Sequence, residues 1–259
     1  MDLRRVTILP EPLKRVFLEL IDPIADRLIE AGLTPNRITT ISALILFVSG
    51  AAFGFGHLHL GGGLLLASGF FDLLDGKVAR RGGMSSTFGA FYDSVMDRWG
   101  EGILFTGIAI YYMTSAIRSY GNREPVLALG LCFACLIGSY MVSYTRARAE
   151  GVGIEAKVGM AQRAERIVFL GGATLFFGSG PHGWLLLFIL AALSLVSWIT
   201  MVQRIYHVYS ITKDESLSVV ARAATHPTPV APAPVGRPNA APADAKASLA
   251  LPETAVKGT

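Results

Sequence analysis

The chain has 259 residues, 52% of them hydrophobic and only 16% charged, against about 25% charged in ordinary soluble domains. That argues against a purely soluble globular protein, while two cysteines, Cys132 and Cys135, exclude a disulfide-stapled scaffold and five scattered histidines argue against a histidine-built metal site. Most of the Lys and Arg behind the net charge of +4 lie beside apolar runs, which points to an anionic membrane surface or a phosphate and away from nucleic acid.

The first predicted element is Leu13–Ala31. Val16, Leu18, Ile21, Ile24, Ala25, Leu28 and Ile29 recur mostly at three- and four-residue spacings among charged neighbours. This is an amphipathic helix, lying in the membrane interface or capping the cytoplasmic face. No small-residue cleavage site follows an apolar core, so the segment does not read as a signal peptide. Residues 1–36 are expected to form a cytoplasmic N-terminal segment.

Residues 38–71, 125–145 and 167–203 contain no Asp, Glu, Lys or Arg. A helix needs about 20 apolar residues to cross the hydrocarbon core, so each run holds at least one span. The first run breaks at His57–Gly63 and the third at Gly178–Gly183. Span one is then 37–56. Residues 61–71 are too short to cross alone, so span two continues through Asp72 and Asp75 to Arg81, and span three, 88–117, includes Asp93 and Asp97. Spans 124–147, 160–180 and 184–207 complete a six-helix domain over 37–208. From 214 to 259 the chain turns rich in Pro and Ala, with seven of its thirteen prolines between Pro227 and Pro252; this predicts a disordered tail.

Basic residues crowd one set of connections: Arg27 and Arg37 before span one, Lys77, Arg80 and Arg81 closing span two, and Arg146, Arg148, Lys157, Arg163 and Arg166 around the fourth connection. The opposite turns at 57–63 and 178–183 carry no Lys or Arg. The positive-inside bias therefore places both termini, and the acid-bearing ends of spans two and three, on the cytoplasmic side of a cell membrane.

Asp72 and Asp75 are three residues apart, and Asp93 and Asp97 four apart, so each pair shares one helix face. Four carboxylates facing one volume at a membrane boundary repel one another and are costly to desolvate. Bound divalent metal resolves this, and hard oxygen ligands suit Mg2+ or Mn2+ over zinc. Gly76 follows Asp75, and Gly89 stands one turn before Asp93; with Ala79 they allow close helix approach or admit a phosphate or nucleotide. The plain alternative is solvated acids paired with Lys77, Arg80, Arg81 and Arg98, which accounts for neither the matched spacings nor the glycines.

The run Asp72-Leu-Leu-Asp75-Gly76-Lys-Val-Ala79-Arg80, then eight residues, then Gly89-Ala-Phe-Tyr-Asp93-Ser-Val-Met-Asp97 resembles the CDP-alcohol phosphotransferase signature at every fixed position. The resemblance spans about residues 13–208. It implies a six-helix membrane fold with two divalent ions, Mg2+ or Mn2+, and transfer of a phosphatidyl group from CDP-diacylglycerol to an alcohol with release of CMP. It further implies Asp72, Asp75 and Asp93 as metal ligands, and Asp97 as both ligand and general base on the acceptor hydroxyl. Gly76, Ala79 and Gly89 would line the cytidine pocket, Arg80 would meet the donor phosphate, and the protein would be a homodimer.

The acceptor must be read elsewhere. Ser143-Tyr-Thr-Arg146-Ala-Arg148-Ala-Glu150-Gly151 and Gln162-Arg163-Ala164-Glu165-Arg166 place four arginines around one connection. Arginine suits bidentate phosphate recognition, so a phosphorylated alcohol is expected at Arg146, Arg148, Arg163 and Arg166, unless these only anchor helix ends at headgroups. The pattern is similar to the phosphatidylinositol phosphate synthases, with Ala164 where they have proline, and implies inositol phosphate as acceptor. Glycerol 3-phosphate, giving phosphatidylglycerophosphate, is the rival. From another class, a divalent-metal transporter would also carry intramembrane acids, but at mid-membrane and open to both faces. Cys132-Phe-Ala-Cys135, inside an apolar span, reads as packing.

Overall fold

The computed structural model describes residues 11–118, 124–156, 158–159, 163–180 and 183–225. Expectations that fall on residues 1–10, 119–123, Lys157, Gln162 and the tail from 226 lie outside them. The described residues form seven helices and no strand: α1 (Glu11–Glu30), α2 (Pro35–Gly54), α3 (Leu58–Arg81), α4 (Thr87–Arg118), α5 (Glu124–Gly151), α6 (Arg163–Phe177) and α7 (Trp184–Thr225). Three contain stretches long and apolar enough to cross a membrane, at Pro35–Gly54, Val126–Gly151 and Trp184–Lys213. Acids interrupt α3 and α4, and α6 has only 15 residues.

Local chemistry sets the boundaries. Gly32 ends α1 in the left-handed region at φ +71, and Pro35 opens α2, where its missing N–H costs nothing. Short connections then fold α2, α3 and α4 back on one another. Hydroxyls bind the first pair: Ser42 Oγ donates to Ser68 O at 2.9 Å and Ser49 Oγ to Gly61 O at 2.7 Å. In an apolar solvent such bonds and close packing replace the hydrophobic drive. The α2/α4 crossing is glycine on glycine, Gly50 against Gly107. Phe53, Leu65, Ile108, Leu170, Leu186 and Leu190 form the centre of the core.

The described part of α1 presses Ile21 and Ala25 into a buried cluster with Ile38, Leu74 and Val78. Ion pairs fasten the contact. Lys77 pairs with Asp22, and Arg81 reaches Asp26 at 2.8 Å and Asp22 at 3.4 Å. These pairs hold α1 against the end of α3 that carries Asp75.

The chain divides into a compact unit through Glu215 and a C-terminal unit from Ser216. Past residue 214, where the tail is expected to begin, α7 carries helical backbone to Thr225. The stretch 214–225 contains no proline, and extending an existing helix costs far less than nucleating one.

Candidate active site

The site is assembled where the end of α3 meets the start of α4. The connection after Arg81 turns through Gly83 at φ +63, and Ser86 Oγ accepts the Gly89 N–H at 3.0 Å, capping α4. The helical spacings then aim both acid pairs at each other.

Asp72, Asp75 and Asp93 each contribute one carboxylate oxygen to a group lying within 4.8 Å of one another. Asp75 is buried, and its Oδ2 accepts a 2.7 Å hydrogen bond from Thr39 Oγ1 on α2. Asp93 Oδ1 is buried with no hydrogen-bond partner among the described residues. Three hard oxygens at this spacing, with an unsatisfied acceptor on one of the three residues, fit a divalent cation of the Mg2+ or Mn2+ kind.

Asp97 stands apart from that group. Its Oδ1 pairs with Arg163 Nη1 at 2.7 Å, and the same nitrogen lies 2.6 Å from Asp72 Oδ1. Arg98 Nη1 is 3.4 Å from Asp97 Oδ2. Of the four acids expected to share one metal site, three converge, and Arg163 joins the fourth to Asp72. Arg163, expected at the acceptor phosphate, reaches the acids from the wall of the cavity beside them.

Beside the acids opens a cavity of about 1130 Å³, lined from four helices: Asp93, Asp97 and Arg98 of α4, Tyr140, Tyr144 and Arg146 of α5, Arg163 and Arg166 of α6, and Arg204 of α7. Arg146 is exposed and pairs with Glu150 at 2.8 Å. Arg148 is exposed and outside the lining. Arg166 is buried; its Nη2 donates to Glu101 at 2.7 Å while its Nη1 has no hydrogen-bond partner among the described residues. Arg204 is buried too, bonded to the carbonyls of Val158, at 2.9 Å, and Val142. An arginine satisfied only by neutral carbonyls keeps its charge for an incoming anion.

Gly76, Ala79, Arg80 and Gly89 are not among the lining residues. The exposed Arg80 side chain folds over Gly76, where a Cβ would stand 3.2 Å from Arg80 Nη1. A Cβ on Gly89 would lie 3.0 Å from Ser86 Oγ and 3.1 Å from Asn36 Oδ1. Gly76 and Gly89 thus make room for Arg80, Ser86 and Asn36.

Sequence reasoning missed Thr39, Glu101 and Arg204. Glu101 continues the four-residue spacing of Asp93 and Asp97, and Arg204 ends the longest charge-free run. Both were visible as ionisable residues on apolar helices. Thr39 left no signal, because only the α2/α3 contact gives it a carboxylate.

A profile described as CDP-alcohol phosphatidyltransferase matches residues 32–203. The archaetidylinositol phosphate synthase of Methanothermobacter thermautotrophicus is 39% identical over 198 residues, covering 76% of this chain and 93% of that protein. Among solved structures, the phosphatidylinositol phosphate synthase of Mycobacterium tuberculosis with CDP-DAG bound superposes with TM-score 0.63 at 30% identity, covering 72% of this chain and 92% of that one. The same enzyme with manganese and citrate gives TM-score 0.62 at 32% identity, covering 72% and 88%.

Proposed function

The chain belongs to the CDP-alcohol phosphatidyltransferase family, and from that premise we propose that it transfers the phosphatidyl group of CDP-diacylglycerol to inositol phosphate, giving phosphatidylinositol phosphate and CMP. The observation that carries the reading is the convergence of Asp72, Asp75 and Asp93 beside an arginine-lined cavity. Similarity to enzymes named for inositol phosphate products adds to it.

Asp72, Asp75 and Asp93 would hold the divalent metal, with Asp97 completing a two-ion site of Mg2+ or Mn2+. Bound there, the metal would neutralise the donor pyrophosphate and stabilise the departing CMP. Gly76, Ala79 and Gly89 admit the cytidine end of the donor, and Arg80 meets its phosphate. Arg146, Arg166 and Arg204 hold the acceptor's phosphate in the cavity. The acceptor hydroxyl oxygen attacks the phosphatidyl phosphorus, the bond from that phosphorus to the CMP oxygen breaks, and CMP leaves with the electron pair. Asp97 takes the hydroxyl proton, and its position between cavity and acid group suits that task.

In the membrane, α2 to α7 are the six spans, with α1 against the cytoplasmic end of α3 at the interface. Both termini and the site face the cytoplasm. The working unit is a homodimer.

The test is CMP release by purified protein with Mg2+ or Mn2+ and CDP-diacylglycerol, offered inositol phosphate, glycerol 3-phosphate, free inositol or serine separately. Turnover with inositol phosphate is expected. A preference for glycerol 3-phosphate would replace the acceptor, and no CMP with any acceptor would remove the reaction.

A further inference from the structure

Arg166, which lines the cavity, is paired with Glu101, an acid that the proposed chemistry does not use. Glu101 and Arg166 are both buried and meet at 2.7 Å. The second Glu101 oxygen accepts a hydrogen bond from Ser139 Oγ of α5. Leu46, Leu65, Leu104 and Leu193 surround the pair, with a space beside it of only about 20 Å³, roughly one water. A buried ion pair is weak evidence for stability, since an apolar pair of the same shape serves as well. It calls for another task.

The geometry points to one. Glu101 spends both oxygens, one on Arg166 and one on Ser139, so its carboxylate cannot turn. Arg166 in turn is gripped through Nη2, and its Nη1 is a buried donor with no partner among the described residues, on a side chain that lines the cavity. We propose that Glu101, locked by Ser139, is a positioning residue that presents the free Nη1 of Arg166 to the phosphate of the acceptor. This rests on the acceptor reading above. Ser139 stands one residue before Tyr140 and two turns before Arg146, both of which line the cavity. The lock therefore ties α4, α5 and α6 together beneath the anion.

Such supporting contacts are worth about 10- to 100-fold when they orient a ligand. Glu101→Met, which keeps shape and loses both acceptors, is expected to raise the KM for inositol phosphate about ten-fold or more and to leave the KM for CDP-diacylglycerol within about two-fold. Glu101→Gln, which still offers Arg166 an oxygen, recovers most of the loss; a role of the negative charge alone would give no recovery. Ser139→Ala, a deletion of one hydroxyl, raises the acceptor KM about two- to five-fold and stands as the test where Glu101→Met does not fold. Arg166→Met raises the acceptor KM itself, and Glu101→Met adds nothing further in that background, because the effect passes through Arg166. Equal changes in both KM values, full additivity with Arg166→Met, or an unchanged acceptor KM in Glu101→Met and Ser139→Ala would overturn the positioning role alone. An unchanged acceptor KM in Arg166→Met would overturn the acceptor site and the positioning role with it.

Discussion

At the crossing of α2 and α4 a methyl group has nowhere to go. A Cβ on Gly107 would stand 1.9 Å from Gly50 O, 2.7 Å from its carbonyl carbon and 3.1 Å from its Cα. These are backbone atoms and cannot rotate aside, so restoring an ordinary contact of 3.4 Å requires the helices to part locally by roughly 1.5 Å. Overpacking of this kind costs about 1–3 kcal/mol, and the backbone contact places Gly107→Ala at the upper end. At roughly 2–4 °C per kcal/mol for a chain of this size, the melting temperature falls by about 6–12 °C. Gly107 lies fourteen residues from Asp93, about 21 Å along the helix, so α4 can tilt rather than shift bodily. Turnover at low temperature should accordingly fall less than about ten-fold, although a full 1 Å displacement of a site can cost a hundred-fold. Gly130→Ala on α5 is the control, since nothing among the described residues lies within 4 Å of its Cβ position, and its melting temperature should hold or rise slightly. Thermal unfolding of the detergent-purified variants by tryptophan fluorescence, with CMP release alongside, decides the matter. A Gly107→Ala protein that melts within about 1 °C of wild type would refute the close crossing.

Thr39→Val keeps shape and removes the 2.7 Å hydrogen bond to Asp75; the Mn2+ concentration needed for half-maximal CMP release should rise about ten-fold, and an unchanged value would show that Thr39 does not hold the ligand. Arg163→Met removes the cation lying 2.6 Å from Asp72 and 2.7 Å from Asp97. Its melting temperature in EDTA should fall, as expected from breaking a buried pair at about 3–5 kcal/mol, and Mn2+ should restore more of it than in wild type; equal melting in EDTA would count against this role. The hydrogen bond from Lys77, reinforced by the charges of Lys77 and Arg81, holds the Asp22 carboxyl below its ordinary value of 3.8. A lowered carboxylate contributes stability that is fully present above the unfolded value and is lost as pH falls through the folded one. The melting difference between wild type and Asp22→Asn should therefore be constant from neutral pH down to about 5 and shrink below about 4. A difference that grows on acidification would refute the α1 clamp.

Much of the molecule was legible because a membrane enforces simple rules. The predicted 61–81 and 88–117 are observed as Leu58–Arg81 and Thr87–Arg118, since charge-free runs and glycine breaks report helix length directly. The spacings of Asp72 with Asp75 and Asp93 with Asp97 determine which carboxylates share a face. Periodicity says nothing of which faces meet. That Arg163 would bridge Asp72 and Asp97, that Glu101 would claim one nitrogen of Arg166, and that Thr39 would lie against Asp75 depends on how each helix is rotated and how closely it crosses its neighbour. Those angles are decided by contacts far apart in the chain, Gly50 on Gly107 and Ser42 on Ser68 among them. The sequence alone determined the helices, the acid motif and the class of chemistry. Only the tertiary structure decided which charges answer one another, because a buried charge takes the partner that packing brings within reach.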